Sequence, residues 1–233
     1  MLKYTDSFIT GNGDFHSNGN IKAGSLMFQF QEIAAAHAEA LGIGFDELIA
    51  DNRIWVMSKL RFRVYRRFAA SEEYRIETYP RRKKGVTFFR DYYVYDKDEK
   101  LMAAGISHWC VINFESRRIE KTDIDFDGEY TDRVPFEDGI RKIRAGELLP
   151  AGEHTVIESD LDKNRHTNNC RYADMVEQVT DIGEYDEFTI NFSREALLGD
   201  VISLYKEETA EGFIVVGKLG DGTVVFQAET RRV

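Results

Sequence analysis

The sequence contains little proline and little cysteine, with three prolines and two cysteines among 233 residues. Cys110 and Cys170 are too few for a disulfide framework and lack the spacing of metal ligands, so we predict neither metal nor cofactor. Scarce proline, without a Ser/Gly/Pro-rich stretch, leaves little room for disorder. No apolar run approaches the roughly 20 residues of a membrane-spanning helix, and the N-terminus lacks signal-peptide or transit-peptide character. We therefore expect a soluble, cytoplasmic protein without stable membrane insertion.

Acidic residues outnumber basic ones by 41 to 31, and the formal net charge is -10. This charge argues against sequence-independent binding to nucleic acid, so we predict no nucleic-acid partner. Hydrophobic residues make up 42% of the chain, which is enough to form the core of one large domain or two smaller ones.

In the first half, the pattern predicts a long helix that precedes an antiparallel sheet. Apolar residues recur at helical spacing from residue 18 to Gly42, a typical helix-ending glycine. A weak strand at 3–14 precedes this helix, and a short helix at 45–50 follows it. Period-two alternation then predicts strands at 59–68, 74–79, 86–95 and 101–114. In the first of these strands, basic side chains share one face: Lys59, Arg61, Arg63 and Arg67. This face is either solvated or a docking surface for an acidic partner.

The second half repeats this order of elements. A strand at 154–159 precedes a helix at 168–182, and strands follow at 187–194, 201–208, 212–219 and 223–231. The repeated order indicates an internal duplication, and at an offset of 144 residues Lys22 falls on His166. A single mixed domain is the alternative, and both are α+β. We divide the chain into residues 1–122, an acidic connecting segment at 123–150, and residues 151–233.

The segment before the second long helix holds acids, amides and a histidine. Residues 167–169 are all good helix caps, so a structural role explains them. Capping does not explain Asp162, Asn164 and His166, which lie two residues apart on the approach to the helix. Residues at this spacing in an extended segment point the same way, so their side chains could converge near the helix start.

This segment resembles the D-x-N-x-H-x-N-N-x-x-Y signature of the acyl-ACP thioesterases. Every fixed position of the signature is filled, at Asp162, Asn164, His166, Asn168, Asn169 and Tyr172. The resemblance extends into the first half through the long helix, Trp55, the strand from Lys59, and Tyr79–Pro80. It implies a tandem (double) hotdog fold, in which each half is a long helix packed on an antiparallel β-sheet. It also implies hydrolysis of fatty acyl-[acyl-carrier protein], which releases free fatty acid and ends chain elongation.

A fourth site residue is implied by the same resemblance. Glu195 matches a glutamate that completes the family's site. Plant members commonly carry a cysteine at the next position, where this chain has Ala196, so a cysteine nucleophile is not expected there. Cys170 is better explained as a small buried helix residue.

The chemistry expected of these residues is hydrolysis by an activated water. His166 and Glu195 would activate the water, while Asp162 and Asn164 would position it and the imidazole. The backbone around Asn168–Cys170, at a helix N-terminus, would polarise the thioester carbonyl. Direct attack by Asp162, with a mixed anhydride as intermediate, is the alternative route.

The substrate is expected to bind through an apolar slot and a basic surface. In the first half, which the resemblance identifies with the acyl-chain pocket, Met27, Phe28 and Trp55 are candidates to line the slot. Arg82 and Lys83 are candidates to bind an acidic acyl carrier protein, although a solvated turn explains them equally well. Both a monomer and a homodimer are compatible with the sequence.

Two other functions compete with this interpretation. A hotdog acyl-CoA thioesterase would use the same helix-end chemistry on a different carrier. A non-catalytic acyl-binding hotdog protein is the alternative from another class, and the set of Asp162, Asn164, His166 and Glu195 argues against it.

Overall fold

The computed structural model describes residues 2–126, 128–180 and 184–233. The predicted helix end at Ile182 and Asp127 of the connecting segment lie outside the described residues. The chain forms two compact units: Met1–Thr10 with Gln29–Ile140, and Gly11–Phe28 with Arg141–Val233. Among the described residues, no helix is both long enough and apolar enough to cross a membrane.

The first unit is an antiparallel five-stranded sheet with a long helix against one face. Its strands follow the order β1-β3-β4-β5-β2. The elements are β1 (Tyr4–Ile9), α1 (Ala23–Ala40, in this unit from Gln29), α2 (Phe45–Ala50), β2 (Arg53–Val64), β3 (Glu73–Lys84), β4 (Thr87–Asp96) and β5 (Leu101–Asn113). On α1, the Phe30 ring stacks on Tyr92 with 4.5 Å between centroids. A Cβ at Gly105 would lie 2.9 Å from the Phe30 ring, so glycine there permits the close approach of helix and sheet.

Several predicted bounds in this unit change. The short helix at 45–50 is confirmed, but the long helix begins at Ala23 rather than at residue 18. The weak strand predicted at 3–14 ends at Ile9, and β2 begins at Arg53, six residues before the predicted start. β3 continues through Lys84, so residues 81–84 are strand rather than turn.

The second unit is a matching arrangement of helix and sheet. Its strands follow the order β7-β10-β9-β8-β6, and all pairs are antiparallel. The elements are β6 (Leu149–Thr155), α3 (Asn169–Val179), β7 (Glu187–Phe192), β8 (Val201–Thr209), β9 (Gly212–Lys218) and β10 (Val224–Arg231). The predicted strand at 154–159 is wrong in position, because the chain turns into a 3-10 helix at Glu158–Asp160. Tyr172 of α3 packs against Phe226 and Phe192, with ring centroids 5.3 and 5.8 Å away.

Two loops of the second unit share one backbone pattern. Each has a 3-10 helix, an isolated bridge and a bond that closes the loop before a long helix. In the first loop, the 3-10 helix is Asn12–Asp14, the bridge pairs Phe15 with Ile21, and the Lys22 N–H donates to the Asp14 carbonyl. In the second loop, the 3-10 helix is Glu158–Asp160, the bridge pairs Leu161 with Thr167, and the Asn168 N–H donates to the Asp160 carbonyl. The offset is therefore 146 residues, as it is from Ala23 to Asn169 at the helix starts. The alignment of Lys22 with His166 is wrong by two residues, and Asn20 occupies the equivalent position.

The connecting segment packs on both sheets, one part on each unit. In the first unit, the Arg61 guanidinium lies 4.2 Å from the Phe136 ring centre and donates to Asp138. Arg61 is only 2% exposed, so the interpretation of its face of β2 as solvated is wrong at this residue. In the second unit, Ile143 packs with Ile214 and Val216.

Candidate active site

Asp162 holds the loop that carries His166. One oxygen of the Asp162 carboxylate accepts the backbone N–H groups of Asn164 at 2.8 Å and His166 at 3.1 Å. Its other oxygen lies 3.5 Å from the Asn164 side-chain nitrogen. Arg165 lies between them with φ +62°, the left-handed conformation needed for the loop to turn back. Asp162 therefore contacts the backbone of His166, and these contacts shape the loop.

The imidazole of His166 lies beside the carboxylate of Glu195. The Nε2 atom is 3.5 Å from Glu195 Oε2, a spacing that can close to a direct hydrogen bond or admit a shared water. The two side chains are 21% and 38% exposed, so solvent reaches the pair. Nδ1 of His166 is buried and has no hydrogen-bond partner within the described ranges. The two side chains can act together on a molecule that enters between them.

The start of α3 lies directly after His166. Asn168 is the N-cap, and its side-chain oxygen accepts the N–H of Cys170 at 3.0 Å. The N–H of Asn168 itself donates to the carbonyl of Asp160 at 2.8 Å. Two of the three backbone donors predicted to polarise a carbonyl are therefore already used. What remains of that prediction is the positive end of the helix dipole.

Two further residues join the loop to the segment that carries Glu195. The sequence predicted only a helix cap at Thr167 and gave no role to Tyr172. Thr167 donates to the carbonyl of Ala196 through both its N–H (3.0 Å) and its hydroxyl (2.8 Å). The N–H of Ala196 donates to the Tyr172 hydroxyl at 3.1 Å. The only signal in the sequence was the fixed tyrosine that ends the signature.

A second carboxylate supports the same loop from below. The buried Asp160 accepts the N–H of Ile157 at 3.0 Å and lies 2.8 Å from Nε2 of His154. Its backbone carbonyl is the group that accepts the N–H of Asn168. His154 thus contacts Asp160, whose backbone carbonyl supports the loop of the candidate site.

The residues predicted to bind substrate have mixed environments. Met27 is fully buried, whereas Phe28, its neighbour on α1, is 44% exposed. Trp55 packs edge-on against Phe88 at 4.8 Å and donates its Nε1–H to the carbonyl of Ile43. That these three side chains line an acyl slot stays a prediction.

The two predicted docking residues make contacts within the first unit. Lys83 Nζ donates to the carbonyls of Thr122 at 2.6 Å and Ile124 at 2.8 Å. The Arg82 guanidinium lies 4.7 Å from the ring centre of Tyr130. Lys83 therefore holds the connecting segment, whatever else it does.

The histidines of the first unit are held neutral. Burial, with the positive charge of Arg90, lowers the pKa of His37 to about 4, and its Nδ1 lies 2.9 Å from Arg90. Burial, with Lys59 and Arg81, likewise lowers the pKa of His108 to about 4. The described residues contain no group of three or more His, Cys, Asp or Glu side chains arranged to hold a metal ion.

Family comparisons agree with the order of elements. A model of the acyl-ACP thioesterase N-terminal domain matches residues 1–130, and a model of the C-terminal domain matches residues 151–230. The chain belongs to the acyl-ACP thioesterase family. The resemblance predicted from the signature is thereby confirmed, and the chain is a member of a family of thioester hydrolases.

Individual relatives are distant in sequence. The chain is 25% identical to the chloroplastic oleoyl-acyl carrier protein thioesterase of Coriandrum sativum, over 99% of this chain and 70% of the relative. It is 23% identical to oleoyl-acyl carrier protein thioesterase 1 of Arabidopsis thaliana, over 90% of this chain and 65% of the relative. The chain thus spans about two thirds of the length of these plant proteins.

Solved structures show the same fold. An acyl-ACP thioesterase from Bacteroides thetaiotaomicron superposes with a TM-score of 0.89 at 24% identity, covering 99% of this chain and 97% of that one. The 12:0-ACP thioesterase from Umbellularia californica gives 0.85 at 21% identity, with the same coverage of 99% and 97%. The predicted α+β double hotdog is confirmed.

Proposed function

We propose that this chain hydrolyses the thioester of fatty acyl-[acyl-carrier protein] and releases a free fatty acid, which ends chain elongation. The proposal rests on family membership and on one observation: His166 and Glu195 lie 3.5 Å apart beside the N-terminus of α3. A histidine and a glutamate that can act together as a general base, next to a helix N-terminus, meet the two needs of thioester hydrolysis. These are an activated water and stabilisation of negative charge on oxygen.

The reaction begins with a water bound between His166 Nε2 and the Glu195 carboxylate. The pair removes a proton from this water as its oxygen attacks the thioester carbonyl carbon. The positive end of the α3 dipole, at Asn168 and Asn169, stabilises the charge that develops on the carbonyl oxygen. The C–S bond then breaks, the thiolate of the carrier's prosthetic arm takes up a proton from the pair, and the fatty acid leaves.

Asp162 and Asn164 act in this scheme by holding the loop. Asp162 uses one carboxylate oxygen for two backbone N–H groups, which suits positioning better than nucleophilic attack. This supports the activated-water route over a mixed anhydride on Asp162.

The remaining features of the proposal concern the substrate. Residues 1–122 would house the acyl chain, with Met27, Phe28 and Trp55 among its contacts, and residues 151–233 would carry the chemistry, joined by 123–150. An acidic acyl carrier protein would dock near Arg82 and Lys83. A cytoplasmic location, and a monomeric or homodimeric state, stay predictions to be tested by fractionation and by light scattering.

The test is hydrolysis of acyl-ACPs of graded chain length by the purified chain. We expect free fatty acid from the wild type, and losses of at least about a hundredfold in kcat for His166→Ala and Glu195→Gln. His108→Ala and Glu153→Gln serve as matched controls, remove the same groups elsewhere and should retain the wild-type rate.

The same assay separates the alternatives. Faster turnover of acyl-CoA than of acyl-ACP would identify an acyl-CoA thioesterase instead. Binding of acyl-ACP without turnover, unchanged by His166→Ala, would identify a non-catalytic acyl-binding protein.

A further inference from the structure

We infer that Thr167 and Tyr172 are positioning residues that hold Glu195 beside His166 through hydrogen bonds to the Ala196 backbone. We call these hydrogen bonds the grip. This inference deepens the proposed function, on which it rests, by naming the residues that set the geometry of the proposed catalytic pair. Neither residue is assigned contact with substrate.

The grip has three hydrogen bonds on a single buried residue. The carbonyl of Ala196 accepts the backbone N–H and the hydroxyl of Thr167, at 3.0 and 2.8 Å. The N–H of Ala196 donates to the Tyr172 hydroxyl at 3.1 Å. All three residues are buried. Water cannot readily replace a bond that is lost in such a place, so each partner is costly to remove.

The grip acts on the proposed catalytic pair because of where its members lie in the chain. Thr167 directly follows His166, and Ala196 directly follows Glu195. Fixing Thr167 to Ala196 therefore fixes the backbone distance between the two neighbours, from which the imidazole and the carboxylate project. A shift of about 1 Å at such a site is enough to lower the rate strongly.

Tyr172 fixes the other end of the grip to a rigid element. Its ring lies on the buried face of α3, where Phe192 and Phe226 contact it at centroid distances of 5.8 and 5.3 Å. Burial raises the pKa of Tyr172 to about 12, although the Ala196 N–H and the nearby Thr167 side chain oppose the rise, so the hydroxyl stays protonated at neutral pH. The fixed tyrosine of the signature thus gains a physical reason.

A double-mutant cycle tests the inference on the whole chain. Tyr172→Phe and Thr167→Val each remove one hydroxyl and should lower kcat by about tenfold with KM for acyl-ACP little changed. Thr167→Ser restores a hydroxyl and should recover most of the rate. In a Glu195→Gln background, the effect of Tyr172→Phe should shrink to within about twofold, because the carboxylate it positions is gone. Full additivity of the two changes would overturn the inference.

Matched controls separate positioning from loss of stability. Thr10→Val also removes a buried hydroxyl that donates to a backbone carbonyl, that of Ala69 at 2.6 Å. Tyr79→Phe removes a buried hydroxyl that donates to Glu77 at 2.7 Å. Both should lower the melting temperature as much as the test variants and leave kcat unchanged. An equal loss of kcat in the controls would assign the effect to stability and reject the positioning role.

A crystal structure of Tyr172→Phe gives a readout that does not need turnover. We expect the Glu195 carboxylate to move away from His166, beyond the 3.5 Å separation of the native chain. An unmoved Glu195 would overturn the inference even if the wild type hydrolyses acyl-ACP. If the wild type is inactive on every thioester, the proposed function fails, and the crystal structure still decides whether the grip positions Glu195.

Discussion

Asp162 and His166 are bonded to each other twice across the tight loop before α3. The Asp162 carboxylate accepts the His166 N–H at 3.1 Å, and the Asp162 N–H donates to the His166 carbonyl at 2.8 Å. The second of these bonds has an equivalent in the other loop of the unit, where the His16 N–H donates to the Asn20 carbonyl at 2.9 Å. The backbone hydrogen bond that closes the loop is thus present in both loops. In the loop that carries His166, the Asp162 carboxylate adds a side-chain hydrogen bond.

This geometry separates two roles for Asp162. Asp162→Asn keeps a carbonyl oxygen able to accept both N–H groups, whereas Asp162→Ala removes it. If Asp162 positions the loop, kcat should fall by less than about tenfold in the Asn variant and by about a hundredfold in the Ala variant, since bonds to a charged acceptor contribute roughly 1.5–3 kcal/mol each. Steady-state hydrolysis of acyl-ACP measures both.

The opposite result would support a nucleophilic carboxylate. In that case Asp162→Asn would be as inactive as Asp162→Ala, and single-turnover hydrolysis in oxygen-18 water would place label in the Asp162 carboxylate. Absence of label, with an active Asn variant, excludes the mixed anhydride.

The sequence predicted the type of most elements and the residues of the candidate site, but not the register of the repeat. Period-two alternation predicted most strands, and the signature predicted which side chains approach the start of α3. The repeat offset was wrong by two residues because the two loops share backbone bonds, not side chains. Asn20 stands where His166 does and His16 where Asp162 does, so matching residue types could not reveal the register.

The first loop ends at the N-terminus of α1, which is capped by a carboxylate. Glu177, buried on α3, accepts the N–H of Ala23 with its two oxygens at 3.2 and 3.3 Å. The hydroxyl of Tyr185 also donates to it at 2.5 Å, and Nε2 of His16 lies 3.1 Å away, although not aligned for a hydrogen bond. A negative charge at this end of α1 is stabilised by the helix dipole.

Replacing that carboxylate should destabilise the fold. Glu177→Gln keeps the shape but removes the charge, and we expect the free energy of unfolding to fall by about 1–3 kcal/mol in urea titrations. Gln178→Ala, at the exposed neighbouring position of α3, is the control and should change stability by less than about 0.5 kcal/mol. A Gln variant as stable as the wild type would show that the charge contributes nothing there.

The sequence also could not show which segment packs on the sheet of the first unit. Alternation along β2 and β3 predicts which side chains share a face but not what packs on that face. Arg61 binds Asp138 of the connecting segment, 77 positions away in sequence, and Lys83 binds Thr122 and Ile124, where that segment begins. The two interpretations of this basic strip were a solvated face and a docking surface, and neither included that part of the strip holds that segment in place.

This changes how carrier docking should be tested. Lys83→Glu should lower the melting temperature by several degrees, because it breaks the bonds to Thr122 and Ile124. Arg82→Glu loses the contact of the guanidinium with the Tyr130 ring and its attraction to Asp125, but it leaves the Lys83 hydrogen bonds in place, so it tests docking separately from those bonds. We expect Arg82→Glu to raise KM for acyl-ACP severalfold and to spare a small acyl-pantetheine thioester.

Equal changes of KM on the two substrates would reject docking at Arg82. Arg117→Glu, a charge reversal of the same sign elsewhere in the first unit, is the control and should alter neither KM.

Asp91 makes a pH dependence of stability that can be isolated. Burial raises the pKa of its carboxyl to about 7, although Arg81 and Arg90 oppose the rise, and neither of its oxygens has a hydrogen-bond partner in the described part of the chain. An unfolded aspartate has a pKa of about 3.9, so between about pH 4 and pH 7 the folded state retains a proton that the unfolded state releases. Stability from this group is present below pH 4 and is lost as pH rises to 7.

Asp91→Asn, neutral at every pH, should therefore match the wild type in free energy of unfolding near pH 4 and exceed it by about 3–4 kcal/mol at pH 8. Urea unfolding across this range measures the difference, and Asp98→Asn, at an exposed aspartate, should follow the wild-type curve throughout. A constant gap between wild type and Asp91→Asn would mean that Asp91 is ionised in the folded state at all these pH values.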